Sequence, residues 1–258
     1  MTRTLVMGIL NVTPDSFADG GKHFDFESAV NRGKEMIAEG VDIIDVGGES
    51  TKPGADRVSM DEELTRIIPV IHALAKSGAL VSVDTMRAEV AALAVASGAK
   101  IINDVSGGLA DPAMHATAAA LKTQYICMHW RGQSKDMDSL ANYEDVVRDV
   151  INEITKQVAV ALIAGIEPTK LVIDPGLGFA KNAEQNWEIL RNIDKFKELG
   201  FPILVGGSRK RFLGGDNPSQ RESASIALTT WLATKDIWGV RTHTVKPHVD
   251  AIKVIGQV

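Results

Sequence analysis

Eight times along this chain a short apolar run, rich in branched side chains, breaks off at a polar residue or a glycine and then gives way to a helix-length stretch. The runs are Leu5–Leu10, Val41–Val46, Leu80–Val83, Lys100–Ile102, Tyr125–Met128, Leu171–Ile173, Pro202–Val205 and Trp238–Val240. Between them, amphipathic or alanine-rich segments read as helices: Phe26–Glu39, Met60–Lys76, Arg87–Ser97, one opened by Asp111 as cap with Pro112 behind it, Tyr143–Ala164, Glu184–Arg191, Arg221–Thr234 and Asp250–Val258. Continuous apolar strands that alternate with helices belong in a parallel sheet covered on both faces. Eight such units in 258 residues, with short connections and no linker, point to one closed (β/α)8 TIM barrel over residues 1–258. An open doubly wound sheet is the alternative, but the Gly-x-Gly-x-x-Gly fingerprint after its first strand is missing.

Composition narrows the function more by exclusion than by suggestion. A net charge of −5 gives no general nucleic-acid or membrane-surface binder, so an anionic ligand needs a local basic cluster. No apolar run is long enough to span a bilayer, and Met1-Thr-Arg-Thr-Leu5 has no signal-peptide pattern. The single cysteine, Cys127, lies in a strand and cannot form an internal disulfide, which fits a reducing cytoplasm.

The chemistry collects at the strand ends. A closed barrel brings all eight carboxyl ends to one face. The residues expected there are Asn11, Asp84, Asn103, His129, Asp174, Lys210, Arg241 and His243, with Thr51 from the second loop. Taken singly, each reads as a helix cap or a solvated loop residue. As a ring they read as a ligand site. Asp84, Asn103 and Asp174 suit a planar heterocycle rich in N–H donors, such as a 2-amino-4-oxopyrimidine. Arg209, Lys210, Arg241 and His243 follow the last two strands, where such barrels often hold phosphate. After Asp174, Pro175 stops the strand, while Gly176 and Gly178 let the backbone turn tightly and approach a ligand.

Seven segments in this order resemble the dihydropteroate synthase family. They are Gly8-Ile-Leu-Asn-Val-Thr-Pro-Asp-Ser-Phe17, Asp45-Val-Gly-Gly-Glu-Ser-Thr-Lys-Pro-Gly54, Ser82-Val-Asp-Thr85, Ile102-Asn-Asp-Val-Ser-Gly107, Asp174-Pro-Gly-Leu-Gly-Phe179, Gly207-Ser-Arg-Lys-Arg-Phe212 and Arg241-Thr-His243. Met128-His-Trp-Arg131 and Ser208-Arg-Lys-Arg-Phe-Leu213 look closest to actinobacterial members. The resemblance implies an enzyme of folate biosynthesis that condenses 6-hydroxymethyl-7,8-dihydropterin diphosphate with 4-aminobenzoate. It implies a pterin site at Asp84, Asn103, Met128, Asp174, Gly206 and Lys210, with Asp84, Asp174 and Lys210 catalytic. It further implies a diphosphate site at Asn11, Arg241, Thr242 and His243, with Mg2+ held by Asn11. An aminobenzoate pocket would be bordered by Thr51, Pro53, Phe179 and Lys210. The family is sulfonamide-sensitive and usually a homodimer.

Two positions depart from the family. Lys52 stands where arginine is usual, which loses a bidentate fork. Thr244 stands where many members have aspartate. Both bear on anion binding or sulfonamide response, and neither removes a pterin contact. A pterin-binding methyltransferase domain shares the acceptor half of the ring without needing the basic clamp. A catalytically weakened paralogue and a sugar-phosphate isomerase compete with it as rival readings of the ring.

Overall fold

The structure, a computed structural model, describes residues 3–13, 26–49, 57–133 and 135–258. Its strands are β1 (Leu5–Asn11), β2 (Ile43–Gly47), β3 (Val81–Asp84), β4 (Ile101–Asp104), β5 (Gln124–Met128), β6 (Leu171–Asp174), β7 (Leu204–Val205) and β8 (Gly239–Thr242). All pair in parallel, in the order β6-β5-β4-β3-β2-β1-β8-β7. The seam between β6 and β7 is closed by a parallel bridge, Ile173 to Ile203, and by a 2.9 Å bond from Ile173 N to Pro202 O. The ring is therefore the barrel that the alternation implies. β7 is shorter than the apolar run 202–205 because Pro202 has no N–H to give the ladder.

Nine helices among the described residues surround the ring: α1 (Phe26–Glu39), α2 (Met60–Lys76), α3 (Ala88–Ala96), α4 (Met114–Leu121), α5 (Val146–Ile163), α6 (Ala183–Arg191), α7 (Ile193–Lys197), α8 (Glu222–Ala233) and α9 (Lys246–Ile255). The first two match the sequence reading residue for residue. α4 starts later than Asp111-Pro112 suggests. Asp111 instead divides its carboxylate between Ala113 N at 2.9 Å and Ala88 N at 2.8 Å, so it caps both the turn before α4 and the start of α3. α5 starts after Tyr143, where Asp145 caps Arg148 N at 2.9 Å. α9 begins at Lys246 rather than Asp250, because Pro247 is pre-set for a first helical turn. The short α7 carried no periodic signal in the sequence.

Side chains alternate across the barrel wall. Met7, Ile43, Ile101, Ile126, Val172 and Leu204 point inward and pack with Leu5 and Trp238 into a dry plug. Their neighbours Val6, Ile44, Val83, Ile102, Tyr125, Cys127 and Ile173 point outward against the helices. Cys127 is thus packing, and burial pushes its thiol far up.

The same parity turns Asp104 outward, although the inward-facing Asn103 precedes it. The Asp104 carboxylate accepts from Ser106 N at 2.9 Å, Ser106 Oγ at 2.7 Å, Gly108 N at 2.7 Å and Tyr125 Oη at 2.8 Å. Such a fully enclosed acceptor is structural, and its removal orphans four donors. We expect Asp104→Ala to lower unfolding stability by about 3 kcal/mol in a urea titration. A cost within 0.5 kcal/mol, the usual scatter for surface changes, would remove Asp104 from this role.

Candidate active site

Parity decides which strand-end residues share the mouth. Asn11, Asn103, Met128, Asp174, Gly206 and Arg241 line one cavity of about 850 Å³, together with Phe179, Lys210 and His243. Five strands and the residue that follows β7 thus contribute to one wall.

The floor is a buried ionic lattice. The Arg241 guanidinium donates from Nε to Asp45 Oδ2 at 2.6 Å and from Nη2 to Asp84 Oδ2 at 2.5 Å. Asn103 Nδ2 donates to the same Asp45 oxygen at 2.9 Å. That bond uses one of the two Asn103 amide N–H groups and fixes the orientation of the amide, whose oxygen remains an acceptor. Asp45 is fully buried, and the sequence reading did not single it out. The sequence reading places Asp84 in the ring, yet Asp84 does not line this cavity; it accepts from Arg241, which does. Burial pushes its carboxyl up, Arg241 pulls it down, and Asp45 pushes it up again.

Asp174 ends β6, and its Oδ1 accepts from Gly176 N at 2.7 Å. Burial raises its pKa to about 6, against that bond and the charges of Lys210 and Arg241. Gly176 has φ 67°, and a Cβ there would lie 2.4 Å from His129 O, so only glycine fits. The Lys210 ammonium lies 4.1 Å from the centre of the Phe179 ring. Burial lowers its pKa to about 8, with Asp174 acting in the opposite direction. Asp174, Lys210 and Phe179 therefore form one unit in which a carboxylate, a cation and an aromatic face adjoin.

The loop after β7 shapes the opposite rim. Arg209 adopts φ 58°, a costly conformation for a side chain that large. Its N–H donates to Ser225 Oγ at 3.0 Å, and its carbonyl accepts from Arg221 Nη1 at 3.1 Å. Those bonds hold the turn that aims Lys210 inward. Ser208 Oγ stands 3.1 Å from His243 Nδ1 and accepts from His243 N at 3.3 Å. With the Ser208 proton directed to Nδ1, the His243 ring carries its own proton on Nε2, as a donor suited to an anionic oxygen.

Several sequence expectations change here. His129 does not face the mouth: it follows the inward Met128, so parity turns it outward, where it is fully buried. Its Nε2 meets Glu153 Oε2 at 2.9 Å and its Nδ1 meets Lys181 Nζ at 2.9 Å. The Thr242 side chain is likewise outward and fully buried, and its hydroxyl donates to Thr244 O at 3.1 Å. Any contact of Thr242 with an anion would therefore fall to its backbone. Phe17, Thr51, Lys52 and Pro53 lie outside the described residues. Lys181 was missed altogether: it lines the cavity, yet the motif used to find the site stops at Phe179. Its signal was a lysine two residues beyond that motif.

Among the described residues there is no group of three or more His, Cys, Asp or Glu side chains placed to hold a metal. Asn11 offers the cavity one neutral oxygen. That suits Mg2+, which keeps several waters and is commonly bound through few protein oxygens plus substrate phosphates.

Comparison with known proteins follows the same lines. The family described as "Pterin binding enzyme" matches residues 7–243. The dihydropteroate synthase of Mycobacterium leprae is 48% identical over 97% of this chain and 92% of its own length. The Xanthomonas albilineans dihydropteroate synthase structure with 4-aminobenzoic acid superposes with a TM-score of 0.93 at 42% identity, covering 99% of this chain and 93% of that one. The same enzyme in complex with 7,8-dihydropteroate gives 0.89 at 39% identity, with coverage of 99% and 93%.

The raised carboxyl of Asp174 has a consequence for stability. A carboxyl whose pKa is higher in the folded state binds its proton more tightly when folded, so the stability this gives is lost as pH rises towards about 6. Asp174→Asn removes that loss and keeps the acceptor for Gly176 N. The variant should unfold at higher denaturant than the native protein at pH 8, by about 1–2 kcal/mol, with the gap closing near pH 4. A variant that is less stable at pH 8 would contradict the assignment.

Proposed function

The chain belongs to the pterin binding enzyme family, and from that premise we propose that it works as a dihydropteroate synthase. It is a transferase of folate biosynthesis that joins 6-hydroxymethyl-7,8-dihydropterin diphosphate to 4-aminobenzoate, forming 7,8-dihydropteroate and releasing diphosphate. The observation that carries this reading is one cavity lined together by the acceptors Asn103 and Asp174, the cations Lys210 and Arg241, and His243. An N–H-rich heterocycle and an anionic leaving group then bind side by side.

The residues divide the work as follows. The Asn103 oxygen and the Asp174 carboxylate accept from the pterin N–H groups, over a floor to which Asp84 adds its charge. Met128 packs against the bicycle, and Gly206 opens room beside Asp174, where a Cβ would lie 3.8 Å from Oδ2. Lys210 donates to the pterin and, with Phe179, forms the wall against which the arylamine lies. Thr51 and Pro53 complete that pocket. Arg241, His243 and the backbone at Thr242 take the diphosphate, whose charge grows as the carbon–oxygen bond breaks. The pterin methylene becomes electron-poor at that moment, and the carboxylates of Asp84 and Asp174 favour the positive charge. The arylamine nitrogen forms the new carbon–nitrogen bond and gives up a proton. No nucleophilic side chain takes part in this scheme. Asn11 would hold Mg2+, which when bound neutralises charge on the diphosphate.

No described helix is long and apolar enough to cross a membrane. We read the protein as a cytoplasmic homodimer, on the strength of the family resemblance and of a lone, buried Cys127. The basic clamp favours diphosphate release over methyl transfer to a corrinoid partner.

Two measurements test the reading. Diphosphate release with the pterin substrate should require 4-aminobenzoate and fall by at least about a thousandfold in Asp174→Asn, the scale of losing a central electrostatic group. Native-level turnover in that variant would refute the role of Asp174. Chelation by EDTA should abolish release and added Mg2+ restore it. A rate indifferent to EDTA would remove Asn11 from the mechanism.

A further inference from the structure

Lys181 is a buried cation in contact with the site, and the reaction scheme above leaves it unused. Its Nζ lies 2.9 Å from His129 Nδ1, 3.0 Å from Gly176 O and 3.0 Å from Phe179 O. An ammonium has three protons, and here each has one acceptor.

The neighbours fix the direction of each bond. Burial pushes Glu153 up, but hydrogen bonds from His129 and Arg131 outweigh it and hold the carboxyl down at about 2. Glu153 is therefore an anion at neutral pH, and His129 Nε2 must carry the proton it shares with that anion. Burial and the Lys181 charge keep the ring neutral, with a pKa near 3. Nδ1 is then a lone-pair acceptor, and Lys181 donates to it. Arg131 grips both Glu153 oxygens, donating from Nε to Oε2 at 3.0 Å and from Nη2 to Oε1 at 2.6 Å.

The two carbonyls belong to the turn that builds the site. Gly176 N donates to the Asp174 carboxylate, while Gly176 O accepts from Lys181. Phe179 O accepts from Lys181, while the Phe179 ring faces Lys210. Both ends of the turn are thus tied to one ammonium from behind. A helix cap or a surface loop has no need of a buried lysine, whose desolvation is costly. Burial pushes its pKa down to about 7 and Asp174 opposes that, while three acceptors around Nζ favour the ammonium form.

We propose that Lys181 is a positioning residue for catalysis: through the carbonyls of Gly176 and Phe179 it sets the Asp174 carboxylate and the Phe179 ring at a fixed separation, with His129 and Glu153 as its anchor. It acts on pterin binding and arylamine binding together. This rests on the functional reading above, which turnover by the native enzyme tests separately.

The test is steady-state kinetics on the full-length enzyme, with thermal melting alongside. Lys181→Met keeps the stem and deletes all three donors. It should raise KM for both the pterin diphosphate and 4-aminobenzoate by about tenfold each, at temperatures where the variant is fully folded. Lys181→Gln restores up to two donors and should recover part of both losses. A Lys181→Met enzyme with a lower melting temperature but native KM values would show a merely structural lysine and overturn the proposal. A change in KM for one substrate alone would overturn the coupling. If Lys181→Met does not fold, Lys181→Gln decides: native KM values in it overturn the proposal, and a joint rise supports it. A native enzyme that turns over neither substrate would instead refute the functional reading, whatever the variants do.

Discussion

The contact on which the site depends is the Arg241 guanidinium between Asp45 and Asp84. Three ions meet inside the barrel, just above a plug of apolar side chains. Desolvating them is costly, and a buried pair of this kind is poor evidence of stability. What the contact supplies is direction. Asp45 Oδ2 receives both Arg241 Nε and Asn103 Nδ2, so one carboxylate orients the basic floor and the amide acceptor together. The other Asp45 oxygen is buried with no partner among the described residues, as is Ser82 Oγ, its register neighbour on β3. The floor carries two carboxylates to one guanidinium, and Asp174 faces Lys210 above it. The floor itself is therefore left short of cations, which suits a heterocycle that brings N–H donors and develops positive charge.

The strand period explains both what was legible in the sequence and what was not. A run such as Leu171-Val-Ile-Asp174 shows that a polar residue ends a buried strand, and eight such runs give the barrel. Which way the last side chain points depends on where the strand began, by one residue. Asn103 and Asp174 fall on the inward parity. Asp104, His129 and Thr242 fall on the outward one and become struts behind the wall. Asp45 was hidden differently: it sits inside the run 41–46, where it and Asp42 look like exceptions to an apolar pattern. Its role appears only when β8 brings Arg241 against it, 196 residues away in sequence. Lys181 depends on a turn folding back over its own ammonium, which no periodicity reports.

The rim near Thr244 shows what a hydroxyl does where the family resemblance leads one to expect aspartate. The Thr244 hydroxyl donates to Glu222 Oε1. Glu222 also accepts from Arg209 Nε at 3.1 Å, and His248 Nε2 lies 3.4 Å away. Burial pushes the Glu222 carboxyl up, but the bonds from Thr244 and Arg209 outweigh it and hold the carboxyl below its usual range. A second carboxylate at position 244 would confront that anion at contact distance, where like charges repel strongly. Glu222 already supplies the acid that holds Arg209 in its strained turn, and that turn aims Lys210. The substitution therefore leaves one carboxylate at the rim, and the geometry of the basic clamp is carried from α8 rather than from the loop after β8.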